Sequence, residues 1–353
     1  MLRVFFKNNW YPISILVLMV ALLAYYKYEG RNAISPEQVN VYSSRKDILT
    51  RQLFDQFTKE TKVKVNVIID KAPVLISRIQ SEGQSSPADV FLTSDIANLE
   101  LAKQKGLLAR ISTPVIKEQV APAWRDEQDY WLALSKRARV IVVSKERLPK
   151  SQWPTTYMDL AKPEYQGKIL IRSSQNVYNQ SLIASLIAQY GMDEARTFVK
   201  SLVNNFARTP QGGDTDQLRA IAAGVGDVAV VNSYYIARLM DSSNPEDKAV
   251  ADAIEVIFPN QQATGAHVNI SGAGVVKTSA HRINALKLLE FLTSPQAQAI
   301  YAQVNHEFPV HDQAKLSDIV ANWANFKQDV EALKKLPVYL QSASTMALEE
   351  GWR

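Results

Sequence analysis

The chain has 353 residues, 46% of them hydrophobic and 21% charged, a composition that excludes a disordered chain and suits two lobes of ordinary domain size. A net charge of +5, with no run of Lys and Arg interleaved with aromatics, gives no electrostatic footprint for nucleic acid. Cysteine is absent, which excludes disulfides, thiolate metal sites, cysteine nucleophiles and cysteine-ligated clusters.

Residues 1–30 read as a signal peptide or membrane anchor. Arg3 and Lys7 precede an apolar run from Trp10 to about Tyr26, which sits at the lower edge of what spans a bilayer. The segment Tyr25-Tyr26-Lys27-Tyr28-Glu29-Gly30-Arg31 lacks the small residues a peptidase site needs, so a retained anchor stands beside a cleaved signal. The basic flank leaves the N-terminus in the cytoplasm and exports the rest.

Beyond a polar linker, Val39 to Tyr42 reads as a strand, and Ser43-Ser44-Arg45 opens a helix with Ile48, Leu49, Leu53, Phe54 and Phe57 on its apolar face. Val63 to Ile68 alternates as a second strand. Val74, Leu75, Ile76 and Ile79 mark a helix, Ala88 to Leu92 a buried strand, and Ile96 to Lys105 another helix. After Tyr130 to Leu134, the strand Val140 to Ser144 is expected to cross between lobes. A second unit follows, with strands at Ile169 to Ile171 and Asp227 to Val231 and helices over Asn179 to Tyr190, Asp193 to Asn205 and Thr215 to Ala223. Gly272 to Val276 looks like a return crossing. From about Ile283 the tail is helical and amphipathic, with Leu286, Leu288, Leu289, Phe291 and Leu292 as core candidates. Strands alternating with helices predict an α/β fold of two lobes, with a ligand cleft at the carboxyl ends of strands and a hinge between lobes. The expected division is 38–135 with 261–311 for the N-terminal lobe, and 136–260 with 312–353 for the C-terminal lobe.

The chemistry-bearing motifs are few. There is no P-loop and no nucleophile elbow, and Gly272-Ala273-Gly274 lacks the third glycine of a dinucleotide site, so close backbone packing is its plainer reading. The four histidines, His267, His281, His306 and His311, have no zinc-binding spacing. Nothing nominates an enzyme. Tyrosine stands out instead. Tyr234-Tyr235 follows the strand ending at Val231, and Tyr178 also lies between a strand and a helix, where helix N-termini favour anions. Phenolate is a hard anionic oxygen donor suited to ferric ion, and three of them neutralise its charge. The plain alternative for the pair is packing at a helix start. Arg45, Arg137 and Arg238 are surface or ion-pair arginines by default, or hold a carbonate-like anion.

At these residues the chain resembles the bacterial ferric-ion-binding periplasmic proteins, particularly their tyrosine-rich branch. The resemblance runs from Val39 to the C-terminus. It rests on Val41-Tyr42-Ser43-Ser44-Arg45, Ala88-Asp89-Val90-Phe91-Leu92-Thr93, Leu134-Ser135-Lys136-Arg137-Ala138-Arg139-Val140, Asn176-Val177-Tyr178-Asn179-Gln180-Ser181, the Tyr234-Tyr235 pair with Arg238, and His267-Val268-Asn269-Ile270-Ser271-Gly272-Ala273-Gly274. It implies a type II periplasmic-binding fold, a monomer, Tyr178, Tyr234 and Tyr235 as ligands of Fe(III) in the cleft, and delivery to an ABC permease. The implied location is the periplasm, with tethering to the inner membrane if the N-terminal segment stays uncleaved.

One departure shapes the expected site. Many relatives follow the first Ser-Arg with His-Tyr, which can supply a ligand from the N-terminal lobe; here the sequence is Ser44-Arg45-Lys46-Asp47. All three tyrosines therefore come from the C-terminal lobe. Arg45 with Ser44, and Ser94 or Asp95, would contribute through a synergistic carbonate-like anion or water. The alternatives are a same-fold binding protein for a small organic cation or anion, with the tyrosines as aromatic walls, and a membrane-tethered sensor module.

Overall fold

The computed structural model describes residues 37–353. The segment read as a signal or anchor lies outside them. No helix among the described residues is long and apolar enough to cross a membrane.

In chain order the first elements are β1 (Gln38–Ser43), α1 (Arg51–Thr61), β2 (Lys64–Ile69), α2 (Ala72–Glu82), β3 (Val90–Thr93), α3 (Ile96–Gln104), β4 (Leu108–Ala109) and α4 (Pro114–Gln119). The middle of the chain forms β5 (Leu132–Ser144), β6 (Ile169–Leu170), α5 (Val177–Tyr190), α6 (Met192–Asn204), α7 (Asp214–Ala222), β7 (Val228–Asn232), α8 (Ser233–Met240) and α9 (Pro245–Asp252). The remainder forms β8 (Ile254–Ile257), β9 (Ala266–Val276), α10 (Arg282–Thr293), α11 (Pro295–Gln303), α12 (Asp318–Trp323), β10 (Gln328–Asp329) and α13 (Val330–Glu349).

The strands join in the order β2-β1-β3-β9-β5-β7-β6, with β4 and β10 on β9 and β8 on β5. Strands β2, β1 and β3 are parallel, as crossover helices require. The long strands β5 and β9 run antiparallel and belong to both halves of the sheet. One end of β9 pairs with β3, and the far end of β5 pairs with β7. The two halves thus share two crossing strands.

Every residue of β9 is buried, which explains its glycines. A Cβ on Gly272 would lie 2.5 Å from the Leu132 carbonyl oxygen and 2.7 Å from Leu99 Cδ1. One on Gly274 would meet the Tyr130 carbonyl oxygen at 2.8 Å. These glycines serve close approach of β5 and α3 to the crossing strand, as their pattern predicted.

Two expected boundaries move. The first helix does not open at Ser43: that residue ends β1, a short 3-10 turn over Asp47–Leu49 intervenes, and α1 begins at Arg51. The tighter turn rotates Ile48 out of the apolar phase, leaving it 68% exposed while Leu53, Phe54 and Phe57 are buried. The crossing strand β5 is also continuous through Lys136, Arg137 and Arg139, where polarity hid it from the sequence pattern.

Candidate metal centre

Both tyrosine-bearing helices start where the chain leaves the sheet. Asn176 caps α5 by accepting the Tyr178 N–H at 3.0 Å, which sets Tyr178 in the first turn. Strand β7 ends at Asn232, whose extended backbone starts α8 and puts Tyr234 and Tyr235 in its first turn. The two helix starts converge. The Tyr178 and Tyr234 hydroxyls lie 3.3 Å apart, and the rings of Tyr234 and Tyr235 stack with centroids 4.2 Å apart. All three residues named from the sequence therefore form one cluster.

Tyr234 is the buried member of the cluster, and Tyr178 and Tyr235 are half-buried. Tyr234 is 6% exposed, and burial, then the neighbouring Tyr178 and Tyr235, push its phenol well above the ordinary value. Tyr235 is pushed up to about 12, again by burial first, with Tyr178 and Asp214 adding and Arg172 opposing. Without a cation these two phenols hold their protons at neutral pH.

A positive collar surrounds Tyr178. The guanidinium carbons of Arg137, Arg172 and Arg139 lie 5.2, 5.3 and 5.9 Å from its ring centroid. Arg139 and Arg172 share the buried carboxylate of Asp214 at 2.6 and 3.3 Å. Arg137 has no carboxylate partner: it donates to the Ser94 carbonyl, and its buried Nη1 has no hydrogen-bond partner among the described residues.

The other predicted polar residues divide. Arg45 is buried and committed, with Nη2 3.0 Å from each Glu307 oxygen and Nη1 donating to Ser135 at 3.2 Å. Its charge is held mainly by Glu307, against burial, with Tyr301 and Tyr234 contributing. Ser44 donates to Thr93 Oγ1 at 3.0 Å. Asp95 caps α3 by accepting from Ala97 N at 2.8 Å, and its other oxygen accepts from Ser181 at 3.0 Å and Asn269 at 2.7 Å. Arg238 is exposed and lies outside this cluster, close to His306. Sequence reasoning missed Arg139, Arg172, Asp214 and Glu307, whose roles depend on pairings between distant chain positions. Only Asp214 carried a local signal, an acid opening a helix after Gly212-Gly213.

Among the described residues no three His, Asp or Glu side chains are grouped to hold a metal ion. The tyrosine cluster is instead a set of hard oxygens whose protons a highly charged cation can displace.

The chain is 43% identical to Iron uptake protein A1 of Synechocystis sp. over 90% of its own length and 88% of the relative's. It is 40% identical to Iron uptake protein A2 of that organism, covering 92% of each chain. Among solved structures, a Trichodesmium protein (IdiA, FutA) in complex with iron and citrate ligands is 45% identical, with a TM-score of 0.83 over 90% of this chain and 100% of that one. The ferric binding protein from Campylobacter jejuni is 39% identical, with a TM-score of 0.84 over 89% of this chain and 100% of that one. The shared architecture is the two-lobed type II periplasmic-binding fold, as expected from the sequence. Residues 85–328 match a family described as bacterial extracellular solute-binding protein, and to that family the chain belongs.

Proposed function

We propose that the protein binds ferric ion outside the cytoplasm through the phenolates of Tyr178, Tyr234 and Tyr235 and hands it to an ABC importer. The observation that carries this reading is the 3.3 Å approach of the Tyr178 and Tyr234 hydroxyls beside the stacked Tyr235. Relatives named for iron uptake and ferric binding support it, as does membership of a family of binding proteins rather than enzymes. Three phenolates balance the charge of Fe(III), and each tyrosine gives up a proton as the ion enters.

A synergistic anion fits beside Arg137, whose unpartnered Nη1 is the free donor next to Tyr178. Arg45, already held by Glu307, shapes the wall on the other side. The Trichodesmium relative with iron and citrate supports a carboxylate or carbonate in that place. The lobes divide as 38–135 with 261–311 and 136–260 with 312–353, so that all three phenolates sit on the C-terminal lobe. The protein works as a monomer in the periplasm, free or tethered to the inner membrane by residues 1–30.

The test is a visible spectrum of the soluble part titrated with ferric citrate, beside the double variant Tyr234→Phe/Tyr235→Phe. Phenolate–Fe(III) charge transfer gives a coloured band that saturates at stoichiometric iron and disappears in the variant. A colourless wild type rejects the phenolate site and leaves an organic ligand of the same fold.

A further inference from the structure

Asp214 bonds to the strand end and the loop that lead into both tyrosine-bearing helices. Its side chain is fully buried at the start of α7. Oδ2 accepts from Arg139 Nη1 at 2.6 Å and from the Asn232 backbone N–H at 2.7 Å, two residues before Tyr234. Oδ1 accepts from Arg172 Nη1 at 3.3 Å, six residues before Tyr178. Arg139 extends the tie, since its Nη2 donates to Asn179 Oδ1 at 2.8 Å, beside Tyr178, and its Nη1 reaches Asn232 Oδ1 at 3.3 Å.

We propose that Asp214 is a positioning residue for metal binding, acting through Arg139 and Arg172 to set the spacing of the Tyr178 and Tyr234 hydroxyls and to hold two guanidiniums against Tyr178. This rests on the phenolate reading above. The physical case is that buried charges demand fixed partners, so the single carboxylate holds both arginines in one arrangement. Arg139 bonds to Asn179, adjacent to Tyr178, and to Asn232, two residues before Tyr234, while the Arg172 carbonyl accepts from Asn179 Nδ2 at 2.8 Å. The ligand set is thereby assembled on one lobe before an ion arrives, and the positive charge around Tyr178 stays constant. Groups that orient first-sphere ligands commonly matter to affinity as much as a weak ligand does.

The experiment compares wild type, Asp214→Asn, Arg172→Gln and Arg219→Gln by ferric citrate titration, with far-ultraviolet circular dichroism for folding. Arg219, on the exposed side of α7 and paired with Asp247, reports on loss of an ion pair from the same helix away from the site. The expected result is iron binding weakened on the order of tenfold or more in Asp214→Asn. Its charge-transfer maximum shifts as well, because ligand geometry and the local charge set the transition energy. Arg172→Gln is expected to show a smaller loss with a band shift, and Arg219→Gln to match wild type. A carboxylate serving stability alone would lower the melting temperature without moving the band. If Asp214→Asn does not fold, Arg172→Gln decides, because its side chain is partly exposed and its loss leaves the Arg139–Asp214 pair intact. Wild-type affinity and an unmoved maximum in every folded variant overturn the inference and leave the phenolate reading standing. A wild type without a band overturns both.

Discussion

The hydroxyl of Ser181, one turn beyond Tyr178 on α5, lies 3.0 Å from the buried carboxylate of Asp95, which caps α3 in the other half of the molecule. Asn269 on the crossing strand β9 donates to both, at 2.7 Å to Asp95 and 2.9 Å to Ser181. The three side chains form a clasp across the cleft, built from one residue of each half and one of the connection between them. Burial raises the Asp95 carboxyl, and Arg137 with the donors Ala97, Ser181 and Asn269 opposes that rise, so a buried charge depends on each of these partners.

Ser181→Ala tests the clasp. Removing a partner from a buried polar group costs about 1–3 kcal/mol. The variant is expected to lose that much in chemical denaturation and to show a larger radius of gyration by small-angle X-ray scattering without iron. An unchanged radius would place the closing force elsewhere.

Acid should strip the ion from the site. Tyr235 is raised to about 12 and Tyr234 well above its usual value of 10.0, so both are protonated at neutral pH in the empty protein and must release protons when a cation binds. Proton release on binding means that affinity rises with pH and falls as pH drops, by about tenfold per proton per unit. Three protons, one from each ligand tyrosine, predict about a thousandfold loss from pH 7 to pH 6, read from the charge-transfer band against a chelator after correcting for the chelator's own protonation. A flat response would show that the phenols do not ionise on binding.

Protein stability should also fall in acid, through a different residue. His267, on β9, is held down to about 3 by burial, then by the positive charges of Arg139 and Arg137. Its unfolded value is near 6.5, so below that pH the unfolded chain takes up a proton that the folded chain refuses. The resulting loss begins near pH 6.5, reaches about 2 kcal/mol at pH 5, and stops growing near pH 3. His267→Gln should flatten this part of the denaturation profile, and an equally steep profile in the variant would assign the loss to other groups.

Gly272→Ala probes the crossing strand. The added methyl would stand 2.5 Å from the Leu132 carbonyl oxygen, a backbone atom that cannot swing aside. The expected cost is about 1–3 kcal/mol in urea unfolding, typical of overpacking. A neutral substitution would mean that β5 and β9 slide apart without penalty.

The fold and the tyrosines were legible because both follow local rules. Strand–helix alternation showed in hydrophobic period, and Tyr178 and Tyr234-Tyr235 sit where strands hand over to helices. The polar framework was not legible, because its partners are remote in sequence. Arg139 drew no reading at all, yet Asp214 neutralises it from 75 positions away. Arg45 read as an ion-pair arginine or an anion holder, and its partner Glu307, separated by 262 positions, was not nameable from the sequence. Asp95 was placed with the anion, whereas its oxygens are spent on a helix cap and the clasp. A pattern read along one segment cannot see a charge whose counter-charge lies in another.

The segment that leads into Tyr178 is seated from far down the chain. Trp352 is fully buried, its indole N–H donates to the Arg172 carbonyl at 3.0 Å, its carbonyl accepts from Ser174, and its ring meets Phe206 edge-on. Arg172 and Trp352 stand 180 positions apart, so the segment before Tyr178 is seated only when a contact closes across 180 residues. Seating of Tyr178 is therefore a long-range and late event of folding. A ligand set finished so late gives the unfolded polypeptide little grip on any ion it meets on the way.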